Sequence, residues 1–288
     1  MSRVLVIGAT GTVGSHVVEG LSGREDVRVR VASRRPDRLS DGMFTNCEPV
    51  RFDITDPRTY RDAFVDVEAV FLVRPPAISN VRRDVVPALA AAVGAGVERV
   101  VFLSVLGADR NPLVPHARIE SWLESAPVET TFLRASFFMQ NLSTTHRHEI
   151  RRGELAVPAG HGTTSFVDAR DVAAVGVRAL VGDVDGALDV DGALDLTGPE
   201  ALSYEDVCEQ LSAVLPHQVT YTSPSLLRFC WRRYRRERDL AKCAVMAGVY
   251  TTARLGLAGR VTDDVRRILD REPIDFETFA RDYRDVWT

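Results

Sequence analysis

Three glycines set three residues apart, Gly8, Gly11 and Gly14, follow directly on the apolar run Val4-Leu5-Val6-Ile7. Gly8 can make a tight turn, Gly11 lets the backbone approach a pyrophosphate, and Gly14 lets the next helix pack closely on the strand. With Thr10, Thr12 and Val13 they form a turn whose N–H groups, backed by the dipole of a helix over residues 12–21, would face bound phosphate. Glycines at this spacing also occur in ordinary strand-to-helix turns, so the rest of the chain must decide.

Further groups carry the same chemistry. Residues 27–32 alternate with strand period and end in Ser33-Arg34-Arg35. In a dinucleotide fold an acid at this end binds the ribose 2′-hydroxyl, whereas arginine accommodates a 2′-phosphate. Two arginines and no acid favour NADP(H), unless Arg34 and Arg35 are solvated loop charges. Asp53, leaving a strand over residues 49–53, can accept from an adenine amino group or cap the helix that begins near Asp56-Pro57. Val73 ends another apolar run, and Arg74-Pro75-Pro76 stops it and opens a loop beside the cofactor. His116 and Glu120 lie one turn apart on one face of a helix over residues 115–125. The histidine there can bond or protonate an acceptor oxygen, or be a surface residue paired with Glu120. Phe137 and Phe138 either line an aromatic pocket or fill core, and Asn141 is the polar residue expected in the cleft.

The elements that must position these residues follow from periodicity. Short apolar runs at residues 3–7, 49–53, 69–73, 99–104 and 130–134 join the strand at 27–32 and alternate with helices, including one over residues 84–95. This predicts a Rossmann-type, doubly wound parallel sheet of the α/β class. Ligands of such sheets lie outside the carboxyl ends of the strands, where Gly8, Ser33, Asp53, Val73 and Ser104 all fall. Farther on, residues 153–158 suggest a short hairpin strand, 164–168 lead into a helix beginning near Asp171, 194–199 suggest a strand with a turn, and 203–215 a helix capped by Ser203 with Asp206 in its first turn. From residue 216 the sheet rhythm gives way to one strand, at 218–221, and helices. The expected organisation is a dinucleotide-binding domain over residues 1–150, with residues 151–288 completing the sheet and forming a smaller α+β substrate lobe.

Composition bounds the alternatives. A chain of 288 residues with net charge −4 has no general attraction to nucleic acid or to an anionic membrane. No signal pattern and no long apolar run is present, so a soluble, cytoplasmic protein is expected. Cys47, Cys208, Cys230 and Cys243 form no CxxC pair and read as reduced thiols. His146, His148 and His161 lack a ligand-like spacing, so no metal site is expected. Arg228, Arg232, Arg233, Arg235, Arg236 and Arg238 surround Trp231 and Tyr234, but Glu237 and Asp239 interleave with them. A solvated helix face or an oligomer contact, such as a homodimer, explains that stretch better than nucleic acid.

Taken in order, the glycine turn at residues 8–14, Val-Phe-Leu-Ser at 101–104, His116 with Glu120, the run at 131–141 and Phe-Val-Asp-Ala-Arg-Asp-Val-Ala at 166–173 resemble the atypical short-chain dehydrogenase/reductases. The resemblance is closest to their NmrA-like branch, with its NADPH-dependent quinone and azo reductases, and covers about residues 1–215. It implies NADP(H) as cofactor and Ser104 as the serine that the wider superfamily pairs with Tyr-x-x-x-Lys. That pair is missing here. None of the six tyrosines has a lysine four residues on, Lys242 is the only lysine, and His116 and Glu120 stand in the pair's place. A ketone needs an acid for the developing alkoxide, whereas a conjugated acceptor spreads the charge to a distant oxygen and mainly needs proximity. The expected activity is reduction of a quinone or similar aromatic small molecule, with Ser104, His116 and Glu120 as the catalytic group. A redox sensor that binds NADP(H) without turnover, or a biosynthetic enzyme performing ketone reduction, isomerisation or cyclisation, are the alternatives.

Overall fold

The computed structural model describes residues 2–39, 46–182 and 192–288. Its main sheet has seven strands: β1 (Ser2–Ile7), β2 (Val27–Ser33), β3 (Cys47–Arg51), β4 (Ala69–Val73), β5 (Arg99–Val105), β6 (Glu129–Ala135) and an edge strand, Gly192–Leu196. They lie in the order β3-β2-β1-β4-β5-β6-edge. Every pairing is parallel. Strand order therefore reverses between β1 and β4, the topological switch point at which doubly wound sheets bind ligands.

The strands form because their side chains can be covered on both faces. Val4, Leu5, Val6, Phe71, Leu72, Val101 and Phe102 are all fully buried, as near-continuous apolar runs in a parallel sheet must be. One core cluster joins Leu5, Phe52, Phe64, Leu72 and Phe102 to Ile119 and Leu123 of the helix Pro115–Glu124. Elsewhere α1 (Thr12–Ser22) packs on the helix Ala169–Val181, where Gly20 faces Val177. A Cβ at Gly176 of that helix would stand 3.1 Å from Phe71 and 3.2 Å from Leu133, so its small size lets the helix lie close to the sheet.

The chain divides into two compact units. The first holds residues up to Ala135, then Ala169–Leu196 and Asp264–Asp270; the second holds Ser136–Asp168, Thr197–Asp263 and Arg271–Thr288. The chain thus first crosses after Ala135, earlier than the boundary at 150 read from periodicity, and it returns twice. The second unit contains the helices Tyr204–Val214, Leu226–Glu237, Leu240–Arg254 and Phe276–Asp282 around an aromatic core of Phe166, Tyr204, Tyr250, Phe276, Phe279 and Trp287. Ser203 and Asp206 make a reciprocal capping box at the first of these helices.

Two local expectations change. The segment at 153–158 is not a hairpin: Glu154–Ala156 pairs parallel with Thr220–Thr222. The helix expected over 84–95 is two pieces, Val81–Asp84 and Val86–Gly94, because Pro87 cannot continue an incoming helix and instead opens a new one. Residues 164–168 do lead into a helix, Ala169–Val181, after a two-residue strand, Thr163–Thr164, paired antiparallel with Leu202–Ser203, and a single bridge from Val167 to Phe138. All four cysteines are free thiols.

Candidate active site

The glycine turn joins β1 to α1. Gly8 sits at φ +89°, and a Cβ there would be 2.7 Å from that of Val73, so Val73 at the end of β4 forms the wall behind the turn. The Gly11 N–H donates to the Gly8 carbonyl at 2.9 Å. A Cβ on Gly14 would fall 2.2 Å from that same oxygen, inside any permitted contact. Thr10, Gly11 and Thr12 are exposed, while Val13 and Gly14 are buried. No side chain caps α1 and no acid stands in its first turn. The N-terminal N–H groups and the positive end of the dipole are therefore left for an anion, and the cradle is one that any side chain would fill.

At the end of β2 the Ser33 hydroxyl accepts from the Arg35 N–H at 3.1 Å, which fixes the bend, and Arg34 and Arg35 are exposed. Asp53 does not cap the following helix. Its Oδ1 accepts from the Thr55 N–H at 2.9 Å and hydroxyl at 2.7 Å, while Asp56 caps the short helix Pro57–Thr59. Arg74 turns back on its own loop, donating from Nη1 to the carbonyls of Pro75, Pro76 and Ile78. It thereby organises the proline loop, and its buried Nε has no acceptor among the described residues.

At β5 the sequence grouping is rearranged. Ser104 and Glu120 are both buried, and the Ser104 hydroxyl donates to Glu120 Oε1. Arg134, in register with Ser104 on the neighbouring strand, donates to Glu120 Oε2 from Nη2 at 2.6 Å and to both oxygens from Nε at 3.2 Å. Glu120 reaches this place because Ile119, Glu120 and Leu123 form the inward face of their helix. A carboxylate buried there requires a cation. Arg134 supplies it, and its own affinity for its proton is raised in turn, chiefly by that hydrogen bond. Arg134 received no role from the sequence; the available signal was a charged residue ending a buried strand beside Ser104.

His116 accordingly does not pair with Glu120. Its ring stacks on Phe102, with centroids 5.9 Å apart. Burial, and secondarily the charge of Arg74, lowers its pKa to about 4. At neutral pH it is an uncharged imidazole with one N–H to give.

Phe137, Phe138 and Asn141 belong to the second unit. Phe137 meets Phe166 edge-on at 5.6 Å, Phe138 bridges to Val167 through the backbone, and Asn141 is half-buried beside them. Next to them Gln140 Nε2 donates to the fully buried Asp168 at 2.8 Å, a pairing not anticipated. Among the described residues no group of three or more His, Cys, Asp or Glu is arranged to hold a metal. No helix among them is long and apolar enough to cross a membrane.

Fold and glycine cradle together define a doubly wound dinucleotide-binding protein. The NmrA-like family model matches residues 1–229, and the chain belongs to that family. It is 32% identical to an uncharacterized oxidoreductase, YesF, of Bacillus subtilis over 287 residues, covering 99% of this chain and 96% of the relative. It is 31% identical to an NAD(P)H azoreductase of Xenophilus azovorans, covering 96% of each. The NADPH-dependent quinone oxidoreductase of Escherichia coli, solved with NADPH, has the same fold, with a TM-score of 0.83 at 19% identity over 96% of this chain and 98% of that one.

Proposed function

We propose that this protein reduces a quinone or a similar conjugated, aromatic small molecule with NADPH. Its family and its azoreductase relative make it an NAD(P)H-dependent oxidoreductase, and the glycine cradle fits NADP(H). The acceptor class is our own reading. When bound, the cofactor supplies a hydride. The N–H groups at the start of α1 would hold its phosphates, and the exposed Arg34 at the end of β2 would pair with the 2′-phosphate.

The observation that carries the acceptor class is the fate of the Ser104 proton. That proton is given to Glu120, which Arg134 holds in place, so Ser104 faces a ligand as an acceptor only. His116 can donate one N–H but, with a pKa near 4, carries no spare proton at neutral pH. An alkoxide developing on a simple ketone would meet no acid there among the described residues. A quinone needs none, because its charge moves to an oxygen that water can protonate. The quinone reductase of the same fold supports this reading.

The test is loss of NADPH absorbance with a panel of quinones and azo dyes. Turnover is expected; tight NADPH binding with no acceptor reduced would overturn the proposal in favour of a redox sensor. For the cofactor, Arg34→Ala should weaken NADPH about tenfold or more, as loss of a charge-assisted phosphate contact does, and leave NADH nearly unchanged. Equal loss for both would remove Arg34 from the site.

A further inference from the structure

Eight of the twelve large apolar side chains that stand exposed among the described residues fall within residues 227–257. On the helix Leu226–Glu237, capped by Ser225, they form one row: Leu227, Trp231 and Tyr234, at spacings of four and three. Arg228, Arg232 and Arg235 form the adjoining row, also exposed. Arg235 lies over the Trp231 ring at 4.9 Å, so the two rows touch. The inward face is occupied by buried Phe229 and Arg233. The next helix, Leu240–Arg254, exposes Leu240, Ala244, Val245, Gly248, Val249 and Thr252, with the exposed Arg254 at its end, and Leu255 and Leu257 just beyond it are exposed as well.

From this geometry we infer that the helical pair docks on an anionic lipid bilayer. A row of Leu, Trp and Tyr beside a row of arginines is the arrangement of a helix lying in the membrane interface, its aromatics at headgroup depth and its cations on phosphate. Charge decides between occupants. On these two helices and the turn between them, the exposed cations among the described side chains are Arg228, Arg232, Arg235, Arg238 and Arg254, against one exposed acid, Asp239. A second copy meeting this face with the same face would bring the arginine rows together and bury them with too few acids. Nucleic acid would satisfy the arginines but give Leu227, Leu240, Val245, Leu255 and Leu257 nothing to bury against. An anionic bilayer accommodates both rows. Net charge alone argues against a membrane partner, but electrostatic attraction to lipid acts over about a Debye length and is set by the local cluster.

The test is flotation of the full chain, loaded with NADPH, with vesicles of phosphatidylcholine containing 30% phosphatidylglycerol, against vesicles of phosphatidylcholine alone. Binding is expected only with the anionic lipid, with a blue shift of tryptophan emission from Trp231, since Trp287 is buried and Trp122 half-buried. It should weaken as salt rises. The triple variant Arg228→Gln/Arg232→Gln/Arg235→Gln should lose affinity on the order of a hundredfold, and Trp231→Ser should lose the spectral shift. Unchanged NADPH affinity in both variants shows that they fold. No flotation, or equal flotation with both vesicles, overturns the inference. So does a stable dimer that Trp231→Glu dissociates, which would make the face a homodimer contact, or binding to an acidic protein with none to vesicles.

Discussion

At the residue scale the proposed chemistry rests on one proton and the groups that direct it. Ser104 bonds Glu120, Glu120 is clamped by Arg134, and the three residues are remote in sequence but adjacent through the β5–β6 register. Removing different members should therefore have unequal costs. Arg134→Leu leaves a buried carboxylate without its cation and should cost roughly 3–5 kcal/mol. Ser104→Ala leaves that ion pair intact and should cost roughly 1–3 kcal/mol. Urea unfolding of both variants checks the order, and a larger loss for Ser104→Ala would mean that Arg134 does not carry the charge. His116 gives a second prediction. Its pKa is near 6.5 unfolded and about 4 folded, so the unfolded chain takes up the proton first as pH falls. Stability should decline from about pH 6.5 to about pH 4 by up to a few kcal/mol, the loss being complete below the folded value. His116→Gln should flatten that part of the urea midpoint against pH. The candidate residues Ser104, His116 and Glu120 could be picked out in the sequence because their spacing is local or tied to a strand end. Their partners were not, since whether Glu120 turns to His116 or to Arg134 depends on which helix face the sheet covers, a tertiary fact.

At the scale of the element, the strand–turn–helix at the N-terminus is where sequence and structure agree most closely, for a physical reason. A fully buried strand has to be a short apolar run, and a turn with this little room has to be glycine, so both leave marks that can be read directly. The requirement is quantitative at Gly14, where a methyl group would lie 2.2 Å from the Gly8 oxygen, whereas Gly23, at the C-cap of α1, has nothing within 4 Å. Gly14→Ala should force the turn apart, destabilising the fold by roughly 1–3 kcal/mol as overpacking does, and should abolish measurable NADPH binding. Gly23→Ala, at φ −81° and in open space, should leave both within a few tenths of their starting values or slightly improved. Calorimetric titration of NADPH into the two variants distinguishes a conformational requirement from a general dislike of added bulk in α1. The short elements of the second unit are marked less fully. Glu154–Ala156 follows Gly153, at φ +75° and with a Cβ position only 2.7 Å from the Gln218 oxygen, but nothing local names its partner, Thr220–Thr222, far along the chain.

At the scale of the whole molecule, the interleaving of the two units ties the distant C-terminal segment to the cofactor fold. The segment Asp264–Asp270 belongs to the first unit although both its flanks belong to the second. It is held there by specific contacts: Asp264 Oδ2 accepts the Asp195 N–H at 2.8 Å, Arg178 Nη1 donates to the Ile268 carbonyl at 2.8 Å, and Val265 and Ile268 are fully buried. Asp195 lies on the edge strand, so the helix of this segment, Asp264–Leu269, braces the sheet at the side away from the glycine turn. Ile268→Ala should then lower the stability of the free protein by about 2–5 kcal/mol, the usual cost of a cavity of that size. If the helix only braces the sheet, the variant keeps an intact cofactor cradle. NADPH at about a hundred times its dissociation constant should restore about 2.7 kcal/mol to wild type and variant alike, because ligand stabilisation depends only on saturation of the native state. Parallel upward shifts of the two unfolding curves are the expected result. A variant that is destabilised and also gains less from NADPH would show instead that the brace sets the geometry of the turn across the width of the sheet, and that the carboxyl edge and the distant helix act as one mechanical unit.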